Sequence, residues 1–443
     1  MFTKKQIWAL LIPLMIEQVL TSLMGTADTM MVSTAGSAAI SAVSLVDAIN
    51  VLVIYVFSAM ATGGAIICAQ YLGRGDRKQA NDTGKQLVLT VTAISLIVTI
   101  AIVALRAPLL KLIFGQVEAD VMANAMVYLL ITGISYPFIA LYNAGAALFR
   151  VDGNSRLPMT ISTISNVVNV ALNAVLIFGF HMGVAGAALA TLVSRVMCAV
   201  AVMFFLRQPR QAIVVRDYRK MRPDFKRIFN IMAVGIPTGV ENGMFQLGKL
   251  AIQSTVSTLG TTAIAAQAMA NVLEALNSHA QVGIGLGMMT IVGQCMGAGR
   301  KDEAGRYIKR LTGYSYAATA IACGLTALIV KPVTVLGGME AAAAALCIHM
   351  TLIICIVKPL VWPMAFTAAY GMRAAGDVRF SMIMSACVMW LCRVVIATVL
   401  MRFMGFGPMG VWIGMFCDWT VRASIYLIRF RSGRWAMKQV IKA

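Results

Sequence analysis

The chain has 443 residues, of which 60% are hydrophobic and only 12% charged, with a mean hydropathy of +0.82. Soluble domains carry about twice that share of charge, so this composition excludes a water-soluble globule and requires a bilayer as solvent. The formal net charge of +20 would suggest nucleic acid in a soluble protein, but here the basic residues fall in alternate loops between apolar runs, and no nucleic-acid partner is expected.

In chain order, six apolar runs fall at about 7–34, 44–72, 87–106, 121–148, 158–180 and 184–206. Six more follow at about 229–258, 270–296, 308–330, 344–370, 381–402 and 409–428. A helix rises 1.5 Å per residue, so each run can cross a hydrocarbon core of ~30 Å. Apolar residues are continuous in the runs rather than alternating, which excludes a β-barrel. Met1 to Lys5 lead straight into the first run with no small-residue cleavage site after a short apolar core, so that run reads as a helix and not a signal peptide. The expected fold is all-α and integral to the membrane, with twelve transmembrane helices.

The N-terminus, the even-numbered loops and the C-terminus carry 28 Lys and Arg, against four (Arg106, Lys111, Lys331 and Arg402) in the odd-numbered loops. That asymmetry predicts both termini in the cytoplasm of a multi-pass protein of the cell (inner) membrane. The chain divides into an N-terminal six-helix lobe over 1–206, a basic cytoplasmic connector over 207–228 and a C-terminal six-helix lobe with a short basic tail over 229–443. The connector is expected to lie near anionic lipid headgroups. Nine cysteines are scattered singly with no CxxC pair, which predicts packing residues rather than a disulfide framework or zinc site.

The two halves repeat one another. Ile12-Pro13 and Glu17-Gln18 recur as Ile236-Pro237 and Glu241-Asn242, an offset of 224. Gly36, Gly63, Gln70, Gly73, Gly75 and Ala80 meet Gly260, Gly287, Gln294, Gly297, Gly299 and Ala304 at the same offset. Arg150, Gly153 and Arg156 meet Arg373, Gly376 and Arg379 one residue earlier. An even number of spans per half makes these parallel repeats about an axis along the membrane normal, an arrangement that alternates access by rocking one half against the other. Pro13 and Pro237 each sit inside the first helix of a half, where a lost hydrogen bond permits a kink that reads equally as a hinge or as a static bend.

Ionisable residues at bilayer depth are functional candidates by default. Asp28, Asn173 and Thr191 each lie six or seven residues from the outer end of their runs, a common depth of about 10 Å at 1.5 Å per residue. Asn169 is one turn from Asn173 on the same face. One carboxylate, two amides and a hydroxyl suit a sodium ion. They suit equally well a carboxyl group that gains and loses a proton, because burial favours an acid's neutral form. Glu17 lies about three turns before Asp28 on the same face. With its twin Glu241 it reads as a gate or proton-transfer group, or as a packing residue shared by both halves.

In the second half Gln246 and Lys249, with Asn271 and Glu274, could line a substrate cavity or close an ion-pair network. Asp47 and Asn50 map onto Asn271 and Glu274, which fits paired polar contacts. Arg195, Lys358, Arg393, Asp418 and Arg422 are expected to snorkel, pair or face lipid near helix ends. Thirty-one methionines give weak support to a pocket that repacks around varied ligands.

Several stretches resemble those of the MATE family, the multidrug and toxic compound extrusion transporters. They are Ala27-Asp28-Thr29-Met30 with Gly36, the loop Gln70-Tyr71-Leu72-Gly73-Arg74-Gly75 with its echo Gln294-Cys295-Met296-Gly297-Ala298-Gly299, and the stretch from Asn169 to Thr191. The resemblance spans the whole chain. It implies an antiporter that exports small amphipathic or cationic drugs or metabolites in exchange for H+ or Na+, with no cofactor beyond the transported ion. It also places the first-lobe cation or proton site on Asp28, Asn169, Asn173 and Thr191. The position of Asn173 is commonly Asp in the family, and the acid of its sodium-coupled branch eight residues after the helix-seven proline is here Phe245. A lipid-linked precursor flippase of the same superfamily is the alternative, against which stand twelve spans and no strongly cationic membrane-facing run. No HExxH, Ser/Lys dyad or Walker A loop occurs, and the three histidines are far apart, so neither an enzyme nor an ATP-driven pump is expected. The expected partners are a small-molecule substrate and the lipid bilayer, and the expected state is a monomer.

Overall fold

The computed structural model describes residues 1–115, 118–216, 222–437 and 440–441. Five residues of the basic connector, 217–221, and the basic tail's 438–439 and 442–443 lie outside the described residues. Within the described residues the chain is helical throughout, without strands.

Twelve rods follow in order. The first six are α1 (Lys4–Ser33), α2 (Ser37–Gly73), α3 (Arg77–Phe114), α4 (Ala119–Ile134 and Tyr136–Val151), α5 (Arg156–Gly179) and α6 (Gly183–Leu206). The second six are α7 (Phe225–Val256), α8 (Thr261–Leu276 and His279–Gly297), α9 (Lys301–Leu336), α10 (Ala341–Ala374), α11 (Val378–Arg402) and α12 (Met409–Arg431). Nine rods among the described residues are long and apolar enough to cross a bilayer alone, and α4, bent by 43° at Ser135, makes a tenth. The two left over, α7 and α8, are the rods that carry Glu241, Lys249, Asn271 and Glu274. The chain is thus the expected bundle of twelve helices, with its polar residues concentrated at the start of the second half.

Several helices outrun their apolar cores. The apolar run at about 87–106 becomes the 38-residue α3, and that at about 44–72 becomes the 37-residue α2. Hydropathy registers only the hydrocarbon-immersed middle, whereas the helix continues into water until a cap or glycine stops it. The Asp76 side chain caps α3 by accepting from the Gln79 backbone N–H at 3.0 Å. Gly36 and Gly260, at φ 107° and 95°, turn the chain into α2 and α8, a region where a Cβ is strained. These two glycines hold matching places in the repeat.

The chain divides into two compact units. One comprises Trp8–Pro13 and Val19–Gly239, the other Met1–Ile7, Leu14–Gln18 and Val240–Ala443. The division falls within α1 and within α7 rather than in the connector. In the first unit a Cβ added at Gly63 of α2 would lie 2.7 Å from the Gly235 nitrogen and 2.8 Å from the Ile231 carbonyl oxygen of α7. In the second, a Cβ at Gly283 of α8 would lie 2.7 Å from the Met15 nitrogen of α1. Backbone-to-backbone packing of this closeness joins a stretch of each proline-bearing helix to the unit formed by the other half of the sequence.

Each unit has an apolar core on equivalent rods. Val32, Ala42, Val46, Leu110, Leu129, Ile177 and Ala188 pack together in the first. Ile252, Ala266, Leu273, Met350, Trp362, Ala397 and Trp412 do so in the second. Outward, the long rods α3 and α9 present Leu112 at 84% exposure and Leu336 at 87%, apolar surface that a bilayer covers and water would not.

Three rods contain a widened π-helical stretch: Ala174–Gly179 in α5, Pro363–Thr367 in α10 and Met389–Ile396 in α11. Such insertions rotate the side chains beyond them and recur at functional sites.

Candidate functional site

The first unit gathers an acid and two amides. Asn173, buried at the last turn of α5 before the π-stretch, donates its side-chain Nδ2 to Asp28 Oδ1 of α1 at 2.7 Å. It also lies 3.2 Å from Asn169 Oδ1, one turn earlier. The Asn169 side-chain oxygen in turn faces both Asp28 oxygens, and turning the amide over brings its NH2 to 2.7 and 3.0 Å from them. Each orientation suits one charge state. An ionised Asp28 takes hydrogen bonds from the Asn169 NH2, while a protonated Asp28 can donate its own proton to the Asn169 oxygen. Thr191 of α6 is half-buried and makes no hydrogen bond with this trio.

Beside the trio the same unit holds a second polar group. Asp47 of α2 accepts from Asn50 Nδ2 at 3.0 Å and from the Tyr128 hydroxyl at 3.4 Å. The Tyr136 hydroxyl donates to Asn50 Oδ1 at 2.7 Å, and Arg195 donates to Ser135 Oγ at 2.7 Å. Arg195 is half-buried inside the bundle at the bend of α4. It satisfies that bend instead of snorkelling to the membrane surface.

The second unit is built from ion pairs. Lys358 of α10, fully buried, donates to Glu274 Oε1 at 2.6 Å, to the Glu274 carbonyl oxygen at 3.0 Å and to Ser278 Oγ at 2.6 Å, and it also contacts Asn277 Oδ1. These partners sit at the break in α8, where the ammonium caps the Glu274 carbonyl and the carbonyls of Leu273 and Ala275 accept from the backbone N–H groups of Asn277 and Ser278. Arg422 donates to Asp418 at 2.9 Å within α12, and Arg373 to Glu241 at 2.7 Å. Lys358, Arg393, Asp418 and Arg422 are all buried at 3% exposure or less. Snorkelling and lipid exposure are therefore excluded for them, because the interior supplies partners, or rings, that a lipid face lacks.

Of the remaining sequence candidates, Glu17 is buried at 5% exposure and belongs to the second unit, whereas Asp28 belongs to the first. Glu241 is held by Arg373, and their counterparts in the first half are Glu17 and Arg150. Asn271 is exposed and accepts from Gln267 at 3.2 Å, Gln246 is half-buried, and Lys249 is exposed with its ammonium 4.9 Å from the Phe245 ring centroid. Sequence reading missed Lys358 as the partner of Glu274. The one available signal was a lone lysine in the middle of an apolar run, which needs an acid somewhere.

The MatE family profile matches the chain twice, over residues 13–175 and again over 237–399. The chain belongs to the MatE family. The second match begins 224 residues after the first (237 against 13), the offset read from the matched prolines. MatE relatives align along nearly the whole chain. The "Probable multidrug resistance protein NorM" of Thermotoga maritima is 26% identical over 99% of this chain and 94% of its own length. The "Uncharacterized transporter YisQ" of Bacillus subtilis is 27% identical over 96% and 94%. Among solved structures, an outward-facing multidrug resistance MATE family transporter of the MOP superfamily superposes with a TM-score of 0.91 at 20% identity, covering 98% of this chain and 97% of that one. The MatE assignment and the shared fold make this a multi-span membrane protein of a transporter family.

Proposed function

We propose that this chain is a secondary antiporter that exports small amphipathic organic molecules in exchange for protons, by alternating access between its two halves. The observation that carries the reading is the trio of Asp28, Asn169 and Asn173. An acid that accepts from Asn173 and faces the Asn169 amide, which bonds the carboxylate through its NH2 or the carboxyl through its oxygen, accommodates a proton gained or lost without leaving a buried charge unsatisfied. Sodium is the second candidate ion; a hard cation favours several oxygens and a second negative charge there, and with Asn at position 173 Asp28 is the single carboxylate of the trio. In this reading Asp28 holds the proton in one access state and releases it in the other, and the difference in its affinity between states is the coupling. Both termini lie in the cytoplasm, the membrane is the cell membrane, and the chain works as a monomer without a cofactor. The lipid-linked flippase alternative has no comparable feature behind it.

The test is dye efflux from proteoliposomes holding the full-length protein under an imposed pH gradient. Asp28→Asn keeps the shape and the hydrogen bonds but cannot carry the proton. It is expected to abolish gradient-driven efflux while leaving dye binding within about twofold, since binding and coupling are separable free energies. Undiminished uphill efflux in that variant would sink the proposal.

A further inference from the structure

Among the described residues, Lys249 and Arg393, two cations on facing rods of the second unit, form no salt bridge with a carboxylate. Arg393 lies at the centre of the π-helical stretch Met389–Ile396 of α11 and is buried at 3% exposure. Its Nε has no hydrogen-bond acceptor among the described residues, and its Nη1 lies 3.8 Å from the Met389 sulfur. Its guanidinium lies 4.9 Å from the centroid of the Phe245 ring on α7. The Lys249 ammonium, one turn beyond Phe245, lies 4.9 Å from the same centroid and is exposed. The two rods are pressed together here, since a Cβ on Gly248 would fall 2.4 Å from the Met389 methyl carbon and 3.6 Å from Val394 Cγ2.

The surrounding charges do not cancel this pair. Glu274 and Arg393 are the charged groups that Lys249 feels, and Glu274, Asp418 and Arg422 those that Arg393 feels. Glu274 pairs with Lys358, and Asp418 pairs with Arg422 through Oδ1, its Oδ2 having no hydrogen-bond partner among the described residues. Counting all six side chains, four cations stand against two carboxylates in one neighbourhood. Two like charges facing one ring at short range repel in a medium of low dielectric. A buried guanidinium with an unused N–H direction is a group that a structure ordinarily satisfies.

We propose that Phe245, Lys249 and Arg393 form an organic-anion clamp, and that the molecule carried by this protein is an aromatic or amphipathic carboxylate. The fork of Arg393 takes the carboxylate, Lys249 at the accessible side captures it, and the Phe245 ring packs on the apolar body of the ligand. This inference rests on the transport reading above and narrows its substrate class. The family resemblance alone suggests organic cations, which four cations against two carboxylates would repel. Arg393 sits within the π-helical stretch Met389–Ile396, an insertion of a kind that recurs at functional sites.

The experiment uses purified full-length protein in detergent at low ionic strength, with carboxyfluorescein as the anionic probe and ethidium as the cationic one. Fluorescence polarisation is expected to show saturable carboxyfluorescein binding that benzoate competes away and ethidium does not. Lys249→Gln and Arg393→Gln should each weaken binding about tenfold, the loss expected for one charge partner at close range, and Arg393→Lys should recover part of it. Thermal melting of each variant separates a lost ligand contact from a lost fold, and exposed Lys249 provides a variant that leaves the core untouched. Unaltered carboxyfluorescein affinity in folded Lys249→Gln and Arg393→Gln, or preferential ethidium binding, would overturn the clamp. Displacement by chloride as effective as by benzoate at equal concentration would also overturn it, reassigning the cations to an inorganic anion. The two readings fail separately. Proton-driven ethidium efflux without carboxyfluorescein binding refutes the clamp and keeps the antiporter, whereas clamp binding without any proton-driven efflux does the reverse.

Discussion

The two compact units solve the same problem, polar groups inside a membrane bundle, with opposite chemistry. The first surrounds its acid with amides: Asp28 meets Asn169 and Asn173. The second surrounds its acids with cations and has Lys249 and Arg393 left over. Duplication has kept what sets the backbone, such as Pro13 and Pro237 or Gly36 and Gly260, and has let the interior diverge. Asp28 corresponds to Ile252, Asn169 to Cys392, Asn173 to Ile396 and Thr191 to Met415. An amide-lined acid can change charge at little cost, whereas an acid locked to a lysine cannot. In the proposals made above, the first unit exchanges the proton and the second recognises the anion.

The largest expected effect breaks the comparison at its acidic end. Asp28→Asn should lower pH-gradient-driven efflux by about 100-fold, the scale of losing a group on which coupling depends, while the matching change Ile252→Val in the second unit leaves it unaltered. Next, Lys358→Met should lower stability by about 3–5 kcal/mol by stranding Glu274 inside the bundle. The double variant with Glu274→Gln should regain most of the loss, as thermal melting in detergent would show. Melting of Lys358→Met at the parental temperature would mean that Glu274 is solvated and the second unit is not built on ion pairs.

A smaller effect probes the scaffold that both units share. Gly63→Ala and Gly283→Ala each place a methyl group against backbone atoms of a proline-bearing helix and should cost about 1–3 kcal/mol apiece, the usual penalty of overpacking. Equal losses would show the two crossings to be equivalent. A loss at only one of them would make the scaffold as lopsided as the chemistry. The smallest effect sharpens the ion assignment. Asn173→Asp adds a second carboxylate beside Asp28 and should confer a measurable dependence of efflux on sodium, since paired carboxylates attract a hard cation. Efflux of that variant indifferent to sodium would mean that the trio does not set the choice of ion.

Much of the scaffold was legible because a bilayer imposes simple rules. Continuous apolar runs gave twelve rods, and the matched prolines and glycines gave the repeat. The trio was legible in part, since equal depth and a one-turn spacing place Asp28, Asn169 and Asn173 together. Depth says nothing about direction around the helix axis, and Thr191 at the same depth makes no hydrogen bond with them. The second unit was much less legible. Lys358 meets Glu274 across 84 residues of sequence, and no local spacing encodes a contact between rods. Arg393 lies in a π-helical stretch, which breaks the 3.6-residue periodicity on which helix-face arguments rest. The apolar runs stop short of the ends of α2 and α3 because helices continue past the hydrocarbon that hydropathy detects.

The most direct test of the account is uphill efflux by the purified protein in proteoliposomes, driven in turn by a pH gradient without sodium and by a sodium gradient at equal pH. Proton coupling through Asp28 predicts efflux under the pH gradient alone, and its loss in Asp28→Asn. Efflux that requires sodium and ignores the pH gradient would contradict it.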